Sequence, residues 1–249
     1  MNGEQRRTGV LADAGRTLWP RAGDRHGPLP PMMIALTFVT GLVDAASYLK
    51  LGHVFVANMT GNVVFLGFAI AGASGLSAIS SLIALGSFLI GALGGGWLGA
   101  RNSRHRGHLL RAAGSVQGPL ILLALLLALV ASEPFGQDVR YALTALLALA
   151  MGVQNAAAQR LAVPELTTTV LTRTLTGLAS EAALVDGPGS KLGRRAVAIA
   201  AMLLGALTGG LLALRVSVAA DLAVAAGVVL AVSLAVHVAS RSPGIWTDA

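Results

Sequence analysis

Residues 54–69 read VFVANMTGNVVFLGFA. The stretch is apolar enough for hydrocarbon, yet Asn58, Thr60, Gly61 and Asn62 stand at its centre. A straight membrane-crossing helix gains nothing from two amides, a hydroxyl and a helix-weakening glycine at that depth. The number of crossings in the chain turns on whether this segment crosses at all.

A membrane is implied by composition. Hydrophobic residues make up 55% of the 249 and charged residues only 12%, with a mean hydropathy of +0.73, far above that of a water-soluble domain. Apolar segments lie near 32–50, 54–73, 78–100, 117–132, 140–158, 166–184, 196–214 and 218–239. Several approach or exceed the ~18–20 residues that cross a hydrocarbon core. There is no cysteine, which removes disulfide and thiolate chemistry. The pI near 11.2 does not mark a nucleic-acid partner, because the arginines gather in particular loops rather than along a binding face. One such loop, RNSRHRGHLLR at 101–111, holds four arginines and no acid. Loops of this kind face the cytoplasm and anionic lipid headgroups. Residues 1–30 read as a disordered cytoplasmic tail without the apolar run of a signal peptide, and residues 241–249 as a second cytoplasmic tail.

The chain repeats itself. GLVDAAS at Gly41 returns as GVQNAAA at Gly152, and IGALGGGWLGAR ending at Arg101 returns as LGALTGGLLALR ending at Arg215. Between them ANMTGNVV aligns with TTVLTRTLT, so that Thr60 meets Thr172, Gly61 meets Arg173 and Asn62 meets Thr174. Three matches in one order at near-constant offset describe an internal duplication, with one membrane unit over 31–133 and another over 137–240. Gly91 and Gly95, like Gly205 and Gly209, stand four apart and are expected to let helices approach closely.

With a cytoplasmic N-terminus, eight full crossings place the four-arginine loop outside, against the positive-inside rule. If 54–73 enters and leaves by one face, and 166–184 does the same, that loop and SKLGRR at 190–195 both lie inside. Each unit then holds three transmembrane helices plus one re-entrant or interrupted helix. An odd number of crossings inverts the second unit relative to the first. The expected fold is thus an all-α integral membrane protein of two inverted repeats, with eight ordinary crossings as the alternative. Irregular backbone at depth needs its N–H and C=O groups satisfied by protein or cavity water, work for Asn58, Thr60 and Asn62 and for the threonines of the matching segment. The competing reading is that these residues only bond neighbouring helices or their own backbone.

TGLVDAASYLKLGHVFVANMTGNVVFLG resembles the signature of the YoaK-like family, bacterial multi-pass membrane proteins of a domain of unknown function. The resemblance runs over roughly residues 32–238. It is carried by Gly41, Asp44 and Ala45 with NMTGN at 58–62, supported by GVQNAA at Gly152. It implies a fold and a place in the bacterial cytoplasmic membrane, with no substrate. Members of that family often have a small or apolar residue where Arg173 stands, so a role for that arginine would not extend to them.

Candidate chemistry centres on Asp44, a carboxylate within the first crossing whose repeat mate is Asn155. It either faces a cavity, as a proton or cation ligand, or holds the broken segment by hydrogen bonds. Arg173 and Glu181, eight residues apart in the second interrupted segment, would share a similar face if it is helical, or else reach the interface by snorkelling, and inverted symmetry would bring Arg173 toward Asp44. The histidines at 26, 53, 105, 108 and 237 show no metal-ligand spacing. No phosphate loop, nucleophile elbow or dinucleotide fingerprint occurs, so neither an enzyme nor a cofactor is expected. The expected function is passage of a small solute or ion, with Asp44, Asn58, Thr60, Gly61, Asn62, Asn155, Thr172, Arg173 and Thr174 forming the site. The alternative is a membrane scaffold whose polar centre is structural. A six-span bundle is small for an alternating-access machine, which points to a homodimer.

Overall fold

The computed structural model describes residues 3–21, 23–102, 105–166, 168, 172, 174–176, 192–241 and 245–247, with backbone alone at 3–9. Among the described residues there is no strand. The helices are α1 (Gly3–Leu18), α2 (Leu29–Lys50), α3 (Met59–Ile70), α4 (Ala78–Arg101), α5 (Arg106–Val130), α6 (Gln137–Leu161), α7 (Leu192–Arg215) and α8 (Val218–Ala239). A short 3₁₀ turn follows at Ile245–Thr247. Six of these, α2 and α4 to α8, are long and apolar enough to cross a membrane. At 12 residues, α3 spans about 18 Å and falls short of a ~30 Å core.

The crossing helices alternate between two ends. At one, the Arg106 guanidinium donates to the Leu161 carbonyl and lies 3.2 Å from His26 Nδ1. Here Arg195 also pairs with Glu165 at 2.9 Å. This end collects the start of α2, α5 and α7 and the close of α6, and its arginines make it the basic end. At the other, Lys50 stands 3.9 Å from Glu133, and Glu133 accepts the Val218 N–H at 2.8 Å. The Val218 N–H is one of the donors a helix start leaves unpaired, and the carboxylate supplies the missing acceptor. Because α2 ends and α4 begins at this second end, the connection over 51–77 starts and finishes there. The connection from α6 to α7 starts and finishes at the basic end.

Two helices are central. In α2 and in α6, 67% of the apolar window is buried, against 28% in each of α4, α5, α7 and α8. Close approach is made by glycine. A Cβ on Gly41 of α2 would overlap the Met202 carbonyl of α7, and one on Gly205 of α7 would overlap the Phe38 carbonyl of α2. The same mutual contact joins Gly152 of α6, against the Phe88 carbonyl, to Gly91 of α4, against the Leu149 carbonyl. Gly95 and Gly209 extend these seams toward Val153 and Leu42, as the four-residue spacing predicts.

The ends of the chain differ from the sequence expectation. Residues 3–18, placed in a disordered tail over 1–30, form a helix whose second half docks on the start of α7. Asp13 accepts the Arg194 N–H at 2.9 Å, Thr17 is fully buried, and a Cβ on Gly193 would overlap the Val10 carbonyl. A polar, arginine-rich segment becomes ordered here because its partner surface lies some 180 residues away, beyond the reach of local hydropathy. Near the C-terminus, Trp246 is buried over Gly27 and Gly107, which closes the basic end.

Candidate functional site

The chain leaves α2 at Leu51, turns through Gly52 and His53, both at positive φ, and re-enters the protein over 54–58. Asp44 meets it. Its Oδ1 accepts the N–H of Val56 at 2.8 Å and of Ala57 at 2.8 Å. Its Oδ2 accepts the Asn58 N–H at 3.2 Å and the Asn58 side-chain amide. A carboxylate offers about four lone-pair sites, and each has a donor. Asp44 sits six residues before the end of α2, about 9 Å along the helix axis from that end. The irregular backbone is therefore drawn in to that depth with its N–H groups satisfied.

Asn62 performs the complementary task. Its Oδ1 accepts the Phe55 N–H at 2.8 Å and its Nδ2 donates to the Phe55 carbonyl at 2.6 Å. The two amides thus close the loop from either side of Thr60 and Gly61. Gly61 donates its N–H to the Asn58 carbonyl at 3.1 Å. The Phe55 ring lies 2.7 Å from where a Cβ would stand, so a larger residue would push the ring aside. Phe55 stacks between Tyr48 and Phe65, with centroids 5.2 and 5.7 Å away. Thr60 points outward and is exposed, whereas Asn62 is fully buried.

In the second unit, Asn155 is buried and donates to the Met151 carbonyl at 3.1 Å. Thr172 is exposed and Thr174 buried. Arg173, Glu181, Thr167 and Thr169 lie outside the described residues, and with them the expected approach of Arg173 to Asp44. The structure brings Asp44, Asn58 and Asn62 together around one loop and leaves Thr60 and Thr172 on exposed surfaces.

A second polar centre was not singled out from sequence. Gln117 of α5 donates to Gln154 Oε1 at 2.6 Å. Gln154 of α6 donates in turn to Thr40 Oγ1 at 3.0 Å and to the Leu36 carbonyl at 3.3 Å. All three side chains are buried, and Gln117 and Thr40 lie near the middle of their helices. The chain of amides ties α2, α5 and α6 where hydrocarbon surrounds the bundle. Asp221, in the first turn of α8, is fully buried, with neither oxygen bonded. Its Oδ1 would sit 2.9 Å from a Cβ on Gly209, so the glycine makes room for it. The available signals were weak: GVQNAAA contains Gln154, but nothing local distinguishes it from a lipid-facing or interfacial amide.

Between the ends of α2 and the starts of α4 and α6 lies a cavity of 390 Å³. It is lined by residues 49–53 and 75–77 with Ser80, Gln137, Arg140 and Tyr141. Among the described residues, no group of three or more His, Cys, Asp or Glu side chains is placed to hold a metal ion.

Six apolar helices of crossing length, two of them central and closed on their neighbours through glycine, define a multi-pass α-helical membrane protein. The chain belongs to the family described as Protein of unknown function (DUF1275), whose model matches residues 32–235. It is also 34% identical over 149 residues to the UPF0700 transmembrane protein YoaK of Bacillus subtilis (strain 168). That match covers 59% of this chain and 64% of the relative. No solved structure matches the chain.

Proposed function

We propose that this protein carries a small solute or ion across the bacterial cytoplasmic membrane, through two inverted units built from α2–α5 and α6–α8. The observation that carries the reading is the irregular backbone at 54–58, held below the surface by Asp44 and Asn62. Membrane proteins tolerate such backbone where it is buried in protein or lines a cavity, and solute sites form at broken helices of inverted repeats. The exchanged glycine contacts support the inversion. Gly41 and Gly152 are repeat mates, as are Gly91 and Gly205, and each unit's first helix packs on the other unit's third segment. The connections over 51–77 and 162–191 are re-entrant in this reading. The arginines of the basic end orient it to the cytoplasm, with both termini there.

A scaffold reading is favoured by one specific observation. All four acceptor sites of Asp44 are engaged by its own loop, so Asp44 positions backbone and is not an open ligand. The solute would then meet the loop's exposed face, where Thr60 lies, rather than the carboxylate. Counterflow of labelled solutes in proteoliposomes tests the proposal. Saturable exchange that a Thr60→Val variant alters supports transport. Absence of exchange for every ion and metabolite tried, with folded protein, leaves the scaffold.

A further inference from the structure

The cavity at the end opposite the arginine cluster has a lining of one electrostatic character. Lys50 and Arg140 border it, and no carboxylate does. Glu133 lies 3.9 Å from the Lys50 ammonium, and Asp138 is exposed in the first turn of α6. Two crossing helices begin at its wall, α4 with Ser77 as N-cap and α6 at Gln137, and each start contributes partial positive charge. The Arg140 Nε is buried and has no hydrogen-bond partner, so part of the guanidinium charge is left uncompensated within the protein. Tyr141 accepts from the Gln137 amide at 2.5 Å, which leaves its own O–H to donate. A volume of 390 Å³ falls at the small end of ligand sites, about 300–1,000 Å³.

We infer that this cavity is a binding site for a small oxyanion, a carboxylate or a phosphate, held by Arg140 and Lys50. An oxyanion in the cavity offsets the charges of Arg140 and Lys50, and a planar guanidinium presents its donors in the geometry such groups match. Lys50 adds a point charge from the last turn of α2, and the α4 and α6 starts add their dipoles. In the membrane orientation proposed above the site opens outward, beside the 51–77 connection. The site itself does not depend on the transport reading.

The test uses the full chain in phosphatidylcholine nanodiscs, titrated calorimetrically with inorganic phosphate and with succinate against chloride of equal ionic strength. Wild type should bind at least one probe saturably. Loss of one charge-assisted bond predicts weakening of about tenfold or more in Arg140→Gln. Arg140→Lys should recover part of it, and Lys50→Gln, a change at a partly exposed side chain, should weaken binding while leaving the fold intact. Arg101→Gln, at the other end, should bind as wild type. No saturable heat with either probe, or Lys50→Gln and Arg140→Lys both binding as wild type, overturns the site. With phosphatidylglycerol in the discs and surface charge screened by added salt, loss of the phosphate signal assigns the site to a lipid headgroup, and its persistence assigns it to a free anion. Binding without counterflow sinks the transport proposal alone, whereas cation counterflow without anion binding sinks this site alone.

Discussion

Replacing Asp44 by alanine removes the acceptor that holds 56–58 inside the protein. Three backbone N–H groups, those of Val56, Ala57 and Asn58, lose their partner. Val56 and Ala57 are buried, and each unsatisfied buried donor costs about 1–3 kcal/mol. Water reaching the half-buried Asn58 relieves part of the third penalty, which leaves an expected loss of about 3–5 kcal/mol. Asp44→Asn separates acceptor capacity from charge. Its Oδ1 still serves Val56 and Ala57, but its amide nitrogen then faces the two donors of Asn58, for a loss of about 1–3 kcal/mol. The assay is reversible unfolding in mixed micelles, joined to labelling of a cysteine at position 57, which should become reactive in the alanine variant. An alanine variant within about 0.5 kcal/mol of wild type, the range of neutral surface changes, would refute the claim that Asp44 anchors the loop. An asparagine variant weaker than alanine would refute the donor arithmetic.

Gln117→Leu and Gln154→Leu should each destabilise by about 1–3 kcal/mol by stranding a buried amide; in a double-mutant cycle the pair should show coupling of about 0.5–3 kcal/mol, and additive losses would dissolve the proposed network. Gly41→Leu should lower the yield of folded protein on size exclusion and the unfolding midpoint, by about 1–3 kcal/mol or more, because the overlapping atoms are α7 backbone and cannot rotate away; Gly152→Leu should match it, and an unchanged midpoint in either would argue against the seams. Impermeant reagent should reach single cysteines at 76 and 136 in intact cells and those at 104 and 190 only once the cells are permeabilised, and protection of 76 in intact cells would restore a full crossing at 54–73.

Hydropathy located all six long helices because each is a continuous apolar run, and the polar break at 58–62 separated α3 from them without any tertiary information. The glycine seams were legible too, since GALGGG and GALTGG state their spacing in the sequence. What Asp44 does was not. A carboxylate in an apolar helix reads equally as ligand or anchor until the chain twelve residues on is seen folded back over it. The Gln117–Gln154 pair was hidden for a similar reason: 37 residues separate the two, and each amide looks solitary in its own segment. The docking of α1 depends on Asp13 reaching the start of α7, a contact between residues 181 apart that no local period encodes.

The mutual glycine contacts also set an order of events during synthesis. Gly41 emerges early, but the helix it seats against is complete only after Gly205, roughly 160 residues and on the order of 10–30 s later at ordinary elongation rates. For that interval the face of α2 that will meet α7 has only lipid or another protein beside it, while α4 waits more briefly for α6. The bundle therefore closes from its younger half, and a nascent chain stalled before α7 carries an unpaired glycine groove into the bilayer, where insertion machinery or a membrane protease could distinguish it from a finished molecule.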